Sequence, residues 1–401
     1  MLKYLSQAGI GALMIMGICC ADLAQAKDLT PEPDGIQTGG FVLHPGASAA
    51  IAFDARGSQG HNDGYVDLGV QLNTRLANEE TKSWDNKVAF NWKQYWGIGD
   101  AKADGGPDIT VSTNADLFKQ SMFRVAPNAS YSYLSDPEDD DLRQDFVNHH
   151  LAAGVAAYIQ PSAGAVFSQR IAYHFDGKFY PDHSDVSNMQ HRIDAVTRWN
   201  FLPQTSMALN IDFRITHYLE SVRGTSDQFQ YGGNTNSTSM PIRLTYSLQG
   251  LMLARLSYQL GLGYAYQYYT NGLKEHMFIM NAKLKYEFEG KKSLSLEYKK
   301  DFNNVIYGDY YKSHRVDLTF NALWFDHLQT EIAAGFGAFD FKSLETMPRT
   351  DYLVNAQANI DYHFFPGMKL GLHYRLRLNV SDYYGASYIK NMISLNFAYE
   401  Y

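Results

Sequence analysis

RIDAVTRWNFLPQTSMALNIDFRIT, residues 192–216, decides between two architectures. Beyond the turn LPQTS (202–206), alternate positions separate Met207, Leu209, Ile211, Phe213 and Ile215 from Ala208, Asn210, Asp212, Arg214 and Thr216. One set is oily and the other small, polar or charged, which is the two-residue period of a strand whose faces meet different surroundings. The arm before the turn repeats the pattern, with Arg192, Asp194 and Arg198 on one face and Ile193 and Trp199 on the other. Soluble strands peak near five or six residues, whereas a tilted membrane-crossing strand needs about 9 to 11. Both arms reach the longer figure.

The same rhythm runs through the chain. Val66, Leu68, Val70 and Leu72 oppose Asp67, Gly69, Gln71, Asn73 and Arg75, and near the end Leu370, Leu372, Leu376 and Leu378 oppose Lys369, His373, Arg375 and Arg377. Tight turns such as QPSA (160–163), FDHL (325–328) and FPGM (365–368) take turns with long polar loops, the longest being Glu220 to Ser239. Short turns at one rim and long loops at the other are the habit of transmembrane barrels, and a sandwich has no reason to keep it. Aromatics make up 14% of the chain, including 29 tyrosines, and they gather at arm ends: Trp199 and Phe201, Tyr218, Phe364 and Phe365. Rings that are half wet suit a membrane interface. The expected fold is an all-β, antiparallel up-and-down transmembrane barrel of about 18 strands, with 16 as the alternative. The ambiguity lies between Asp100 and Val125, where DLFKQSMFRV (116–125) could hold one further strand.

The N-terminus MLKYLSQAGIGALMIMGICCADLAQA has a lysine, an apolar stretch and the small pair Ala24 and Ala26 around Gln25, which predicts signal cleavage before Lys27. A lipoprotein site at Cys19 or Cys20 is the rival, but Ile18 is a poor small residue for it. Both cysteines of the chain fall in this segment, so residues 27–401 carry no thiol. The expected organisation is a signal peptide (1–26), a short periplasmic lead-in (27–44) rich in Pro and Gly, and a barrel (45–401). No later apolar run approaches the roughly 18 residues of a membrane helix. A net charge of -8 and the acidic run DPEDDD (136–141) argue against a nucleic-acid partner.

In a barrel of this size the oily positions face lipid and the polar ones face a lumen too wide for side chains to fill, which therefore holds water. The candidate lumen-lining residues are Arg192, Asp194, Arg198, Asp212, Arg214, Arg243 and Arg255, with a second group of His373, Arg375 and Arg377 beside Lys369. They read either as a basic ladder drawing anionic or hydroxyl-rich solutes or as a cross-strand Arg–Asp network stiffening the wall. His149 and His150 are neighbours on a strand, point to opposite faces and cannot share a metal. No cofactor is expected. No GxSxG elbow is present, and the segment 268–278 holds pieces of a hydrolase set without a convincing nucleophile. A channel, a closed structural or adhesive barrel, and a barrel-embedded lipid hydrolase stand in that order.

The last residues, with Leu395, Phe397, Tyr399 and Tyr401 on one face, resemble the C-terminal signal that hands outer-membrane barrels to their assembly machinery; the usual final residue is Phe. The segment TRWNFLPQTSMALNIDF (197–213) resembles a piece recurring in β-barrel porin families of Gram-negative bacteria, some of which accompany exopolysaccharide export systems. The resemblance implies an outer-membrane location, contact with outer-membrane lipids and passage of a solute or polymer, with export components as possible partners. It carries over no functional residue.

Overall fold

The computed structural model describes residues 35–56, 61–76, 82–96, 106–134, 148–159, 166–181, 187–219, 238–270, 274–304, 310–342, 349–382 and 387–401. The signal segment and Ala24, Ala26 and Lys27 lie outside them, as do the run 136–141 and most of the loop from Glu220 to Ser239.

Each long arm of the sequence becomes one strand, antiparallel to its neighbours in chain order. β2 (Phe41–Arg56) pairs with β3 (His61–Leu76), and the series runs on through β4 (Lys82–Tyr95) to β19 (Tyr388–Glu400), which pairs back onto β2 from Lys390↔Arg56 to Glu400↔Gly46. The result is a closed barrel of 18 strands, preceded by a three-residue strand β1 (Ile36–Thr38). Closure matters because an open edge in hydrocarbon leaves backbone groups unpaired at several kcal/mol each. The zone between Asp100 and Val125 supplies β5 (Pro107–Leu117) and the start of β6 (Phe123–Leu134), which makes the count even; the further strand is not DLFKQSMFRV (116–125), which bends into the turn joining the two, with Phe118 at φ 60°. The strands begin earlier than a barrel from residue 45 would have them: β1 and the first residues of β2 lie within the segment read as lead-in.

The two faces are inverted relative to a soluble protein. On β9 (Asn188–Leu202) and β10 (Thr205–Tyr218), Ile193 is 50% exposed and Ile211 46%, while Asp194 is 1% and Asp212 3% exposed. Apolar rows left open and carboxylates buried make sense only if lipid lies outside and a polar interior inside. Trp199–Phe201, Tyr286–Phe288 and Tyr362–Phe364 form ring pairs at 5.5, 4.8 and 4.8 Å near the short-turn rim. Near the long-loop rim the outer face carries Tyr–His pairs, with Tyr131, Tyr173 and Tyr298 hydroxyls at 2.9, 2.8 and 2.9 Å from Nδ1 of His149, His191 and His314. Short turns are set by left-handed residues: Phe325 and Asp326 at φ 56° and 60°, and Gly290 and Lys291 at 76° and 58°. Two consecutive positive φ values are the turn whose twist matches paired strands.

Candidate functional site

The inner wall from β8 (Phe167–Phe179) to β11 (Ser239–Leu253) presents a problem in its register. Asp212 stands directly opposite Asp194, and Arg214 directly opposite Arg192. Like charges face to face repel, and the wall resolves this diagonally. Arg192 donates to Asp212, Arg214 Nε donates to the same carboxylate at 2.8 Å, and Asp194 accepts from Arg170 and lies 3.1 Å from His174 Nε2. Further round, Arg243 stands opposite Asp212 on β11 and reaches Asp301 at 3.2 Å. Arg192, Arg214 and Arg243 therefore share one wall, and each is tied to a carboxylate.

The pairing does not cancel the charge. A recess of about 190 Å³ in this wall is lined by Arg192, Arg214, Arg243, Lys299 and Lys300, five cations against the carboxylates of Asp212 and Asp301. Its floor includes Gly261 and Thr245, which leave room beside the wall. Such a recess suits a small carboxylate or phosphate, because guanidinium groups already fixed by aspartates present their remaining N–H donors in place.

The other predicted residues are dispersed. Arg198 is exposed on the inner face near the short-turn rim, opposite Ala208 and Ser168. Arg255 does not join that wall: it sits in the turn between β11 and β12 (Leu256–Tyr269) and bonds Glu289 of the next turn at 2.7 Å, because β11 ends two residues before it, at Leu253. In the second group, on β17 (Arg349–Phe365) and β18 (Met368–Ser381), His373 Nε2 lies 2.9 Å from Asp361 and Arg377 donates to Asn355 at 3.3 Å. Arg375 stands opposite Gln357 and Lys369 opposite His363. Gly371 gives the Asp361 carboxylate its place, since a Cβ there would come 2.1 Å from Oδ1. His150 faces inward to Asp176 at 2.6 Å while His149 faces outward to Tyr131. Among the described residues no group of three or more His, Cys, Asp or Glu could hold a metal ion. Leu395, Phe397, Tyr399 and Tyr401 form an exposed outer row at the closing seam.

Arg170, His174, Asp301, Lys299 and Lys300 complete the site and were missed in the sequence. The first two were readable, because Ser168, Arg170, Ala172, His174 and Asp176 alternate with Phe167, Ile171, Tyr173 and Phe175. Asp301 carried no local signal, its partner lying 58 positions away.

No family model matches the chain and no curated protein sequence matches it. Solved structures do. The chain is similar to Pseudomonas aeruginosa OpdQ (TM-score 0.52, 10% identity, 90% of this chain and 100% of that one covered). It is also similar to the outer membrane protein opdK of the same organism (0.51, 10%, 90% and 99%) and to a BenF-like porin from Pseudomonas fluorescens Pf-5 (0.50, 11%, 90% and 99%). At these identities the likeness is one of fold: a closed antiparallel barrel of 18 strands like those of outer-membrane porins.

Proposed function

We propose that this chain is an outer-membrane channel whose water-filled lumen passes small hydrophilic solutes, with a preference for anions. The observation that carries the reading is the wall recess where five cations face two carboxylates. An outward apolar surface with aromatic rims supports the membrane location, and an 18-strand circumference leaves an interior wider than its own side chains fill. The exposed outer row of Leu395, Phe397, Tyr399 and Tyr401 supports a further proposal, recognition by the outer-membrane barrel assembly machinery. A role in polysaccharide export is the finer alternative that the family resemblance suggested.

Single-channel recording in planar bilayers under a salt gradient tests this. Stepwise currents with an anion-selective reversal potential are expected, and Arg214→Glu with Lys299→Glu should move that potential toward cation preference. Absence of steps, or an unmoved potential in the double variant, would retire the reading. Liposome swelling in sugars of graded size separates a small-solute pore, with a sharp size limit, from a route for polymer.

A further inference from the structure

β13 (Lys274–Phe288) and β14 (Lys292–Asn304) are paired from Phe288↔Lys292 only as far as Met280↔Lys300. Beyond that point each keeps its other partner. β13 stays joined to β12 as far as Lys274, and β14 stays joined to β15 (Tyr310–Trp324) as far as Asn304. The wall therefore parts between two strands that are each held from behind.

The side chains show how the edges lie. Strand alternation puts Phe302 on the outer face with Leu296 and Tyr298, and puts Ala265, Met277 and Ile279 on the inner face with Asn281. Yet Phe302, 2% exposed, packs in one cluster with those three inner residues. Its ring lies 5.1 Å from the Arg243 guanidinium, which also donates to its carbonyl at 2.5 Å. Lys312, opposite Phe302 on β15, likewise reaches Glu275 of β13 at 3.1 Å. An outer face can touch an inner face only if the β14 edge is tucked inside the barrel, behind β13. The seam is an overlap, like the two edges of a rolled sheet.

A cavity of about 370 Å³ runs into this overlap, lined by inner-face Met277 on one side and by outer-face Lys300, Lys312, His314 and Asp340 on the other. Lys300 lines both this cavity and the cationic recess of the lumen. Its ammonium group makes no hydrogen bond or ion pair among the described residues. A half-buried lysine near the lipid face is costly and marks a polar route.

We propose that the β13–β14 overlap is a lateral portal joining the lumen to the outer leaflet, and that it takes a single-chain amphiphile with a phosphate or carboxylate head. Lys300 holds the head beside the recess, and the chain leaves between Met277 and Phe302 into lipid. The inference rests on the membrane location proposed above and not on conduction.

The test is native mass spectrometry of the purified barrel released from neutral-detergent micelles, with dodecyl phosphate, dodecanol and inorganic phosphate as probes. Dodecyl phosphate is expected to be retained and the other two not. Lys300→Gln should weaken retention about tenfold, the worth of a charge-assisted hydrogen bond. Oxidised Met277→Cys/Phe302→Cys should abolish it, with reduction restoring it, and Met277→Trp, which fills the overlap without cross-linking, should do the same without oxidation. Retention unchanged in Lys300→Gln or in the closed variants would overturn the portal, as would equal retention of inorganic phosphate. A barrel that binds dodecyl phosphate but conducts nothing would instead refute only the channel.

Discussion

Asp212 is the carboxylate on which the lumen wall turns, and removing it has a size that can be worked out. It is 4% exposed at its side chain, accepts from Arg214 at 2.8 Å and from Arg192, and stands opposite both Asp194 and Arg243. Asp212→Ala leaves two guanidinium groups facing each other across β9 and β10 with their shared counter-charge gone. Breaking a fully buried pair costs about 3–5 kcal/mol. These arginines are partly exposed, Arg192 35% and Arg214 22%, and solvent screening brings the expected loss to about 2 kcal/mol. Urea unfolding of the barrel in vesicles, followed by tryptophan emission, reads the loss as a lower midpoint at unchanged slope. Asp212→Ala with Arg214→Gln should recover part of it, because the second change removes the stranded charge. Asp212→Ala alone should conduct with stronger anion preference, since the recess then holds five cations against the single carboxylate of Asp301. A loss under about 0.5 kcal/mol, the level of an ordinary surface pair, would refute the claim that this aspartate organises the wall.

Gly371→Ala places a Cβ 2.1 Å from Asp361 Oδ1, so the carboxylate must leave His373; we expect a loss of about 1–3 kcal/mol by urea unfolding, and a neutral or stabilising outcome would show that the wall yields freely there. Ile211→Arg puts a charge on the outer face at mid-span and should cost about 2–4 kcal/mol, whereas Gln249→Arg on the inner face should be nearly silent. Equal costs for the two, measured in the same vesicles, would contradict the assignment of faces.

The architecture was legible because period and length both survive in a single sequence. Met207 to Ile215 against Ala208 to Thr216 settled face and span together, and the alternation of LPQTS-like turns with long loops settled the connectivity. What alternation could not give was contact across more than one strand. It put Arg192, Arg214 and Arg243 on the inner wall, but which carboxylate each meets depends on register, and Arg243 to Asp301 depends on a tucked edge that leaves no local mark. Arg255 misled for a related reason: the polar rhythm runs on through a turn, where there is no face to belong to. β1 escaped notice because three residues are too few to establish a period, and IQT beside two glycines reads as loop.

That small strand has a topological consequence. The β19–β2 ladder stops at Gly46, Tyr401 N–H donates to Pro45 O at 2.9 Å, and β1 resumes pairing at Ile36↔Leu43 in the same direction as β19. Gly35 therefore falls beside His44, next in line after Tyr401. Tail and head share one lane along β2, so a gene rearranged to splice 401 directly onto 35, with fresh ends opened at any long-loop connection, would encode the same cylinder with no added spacer.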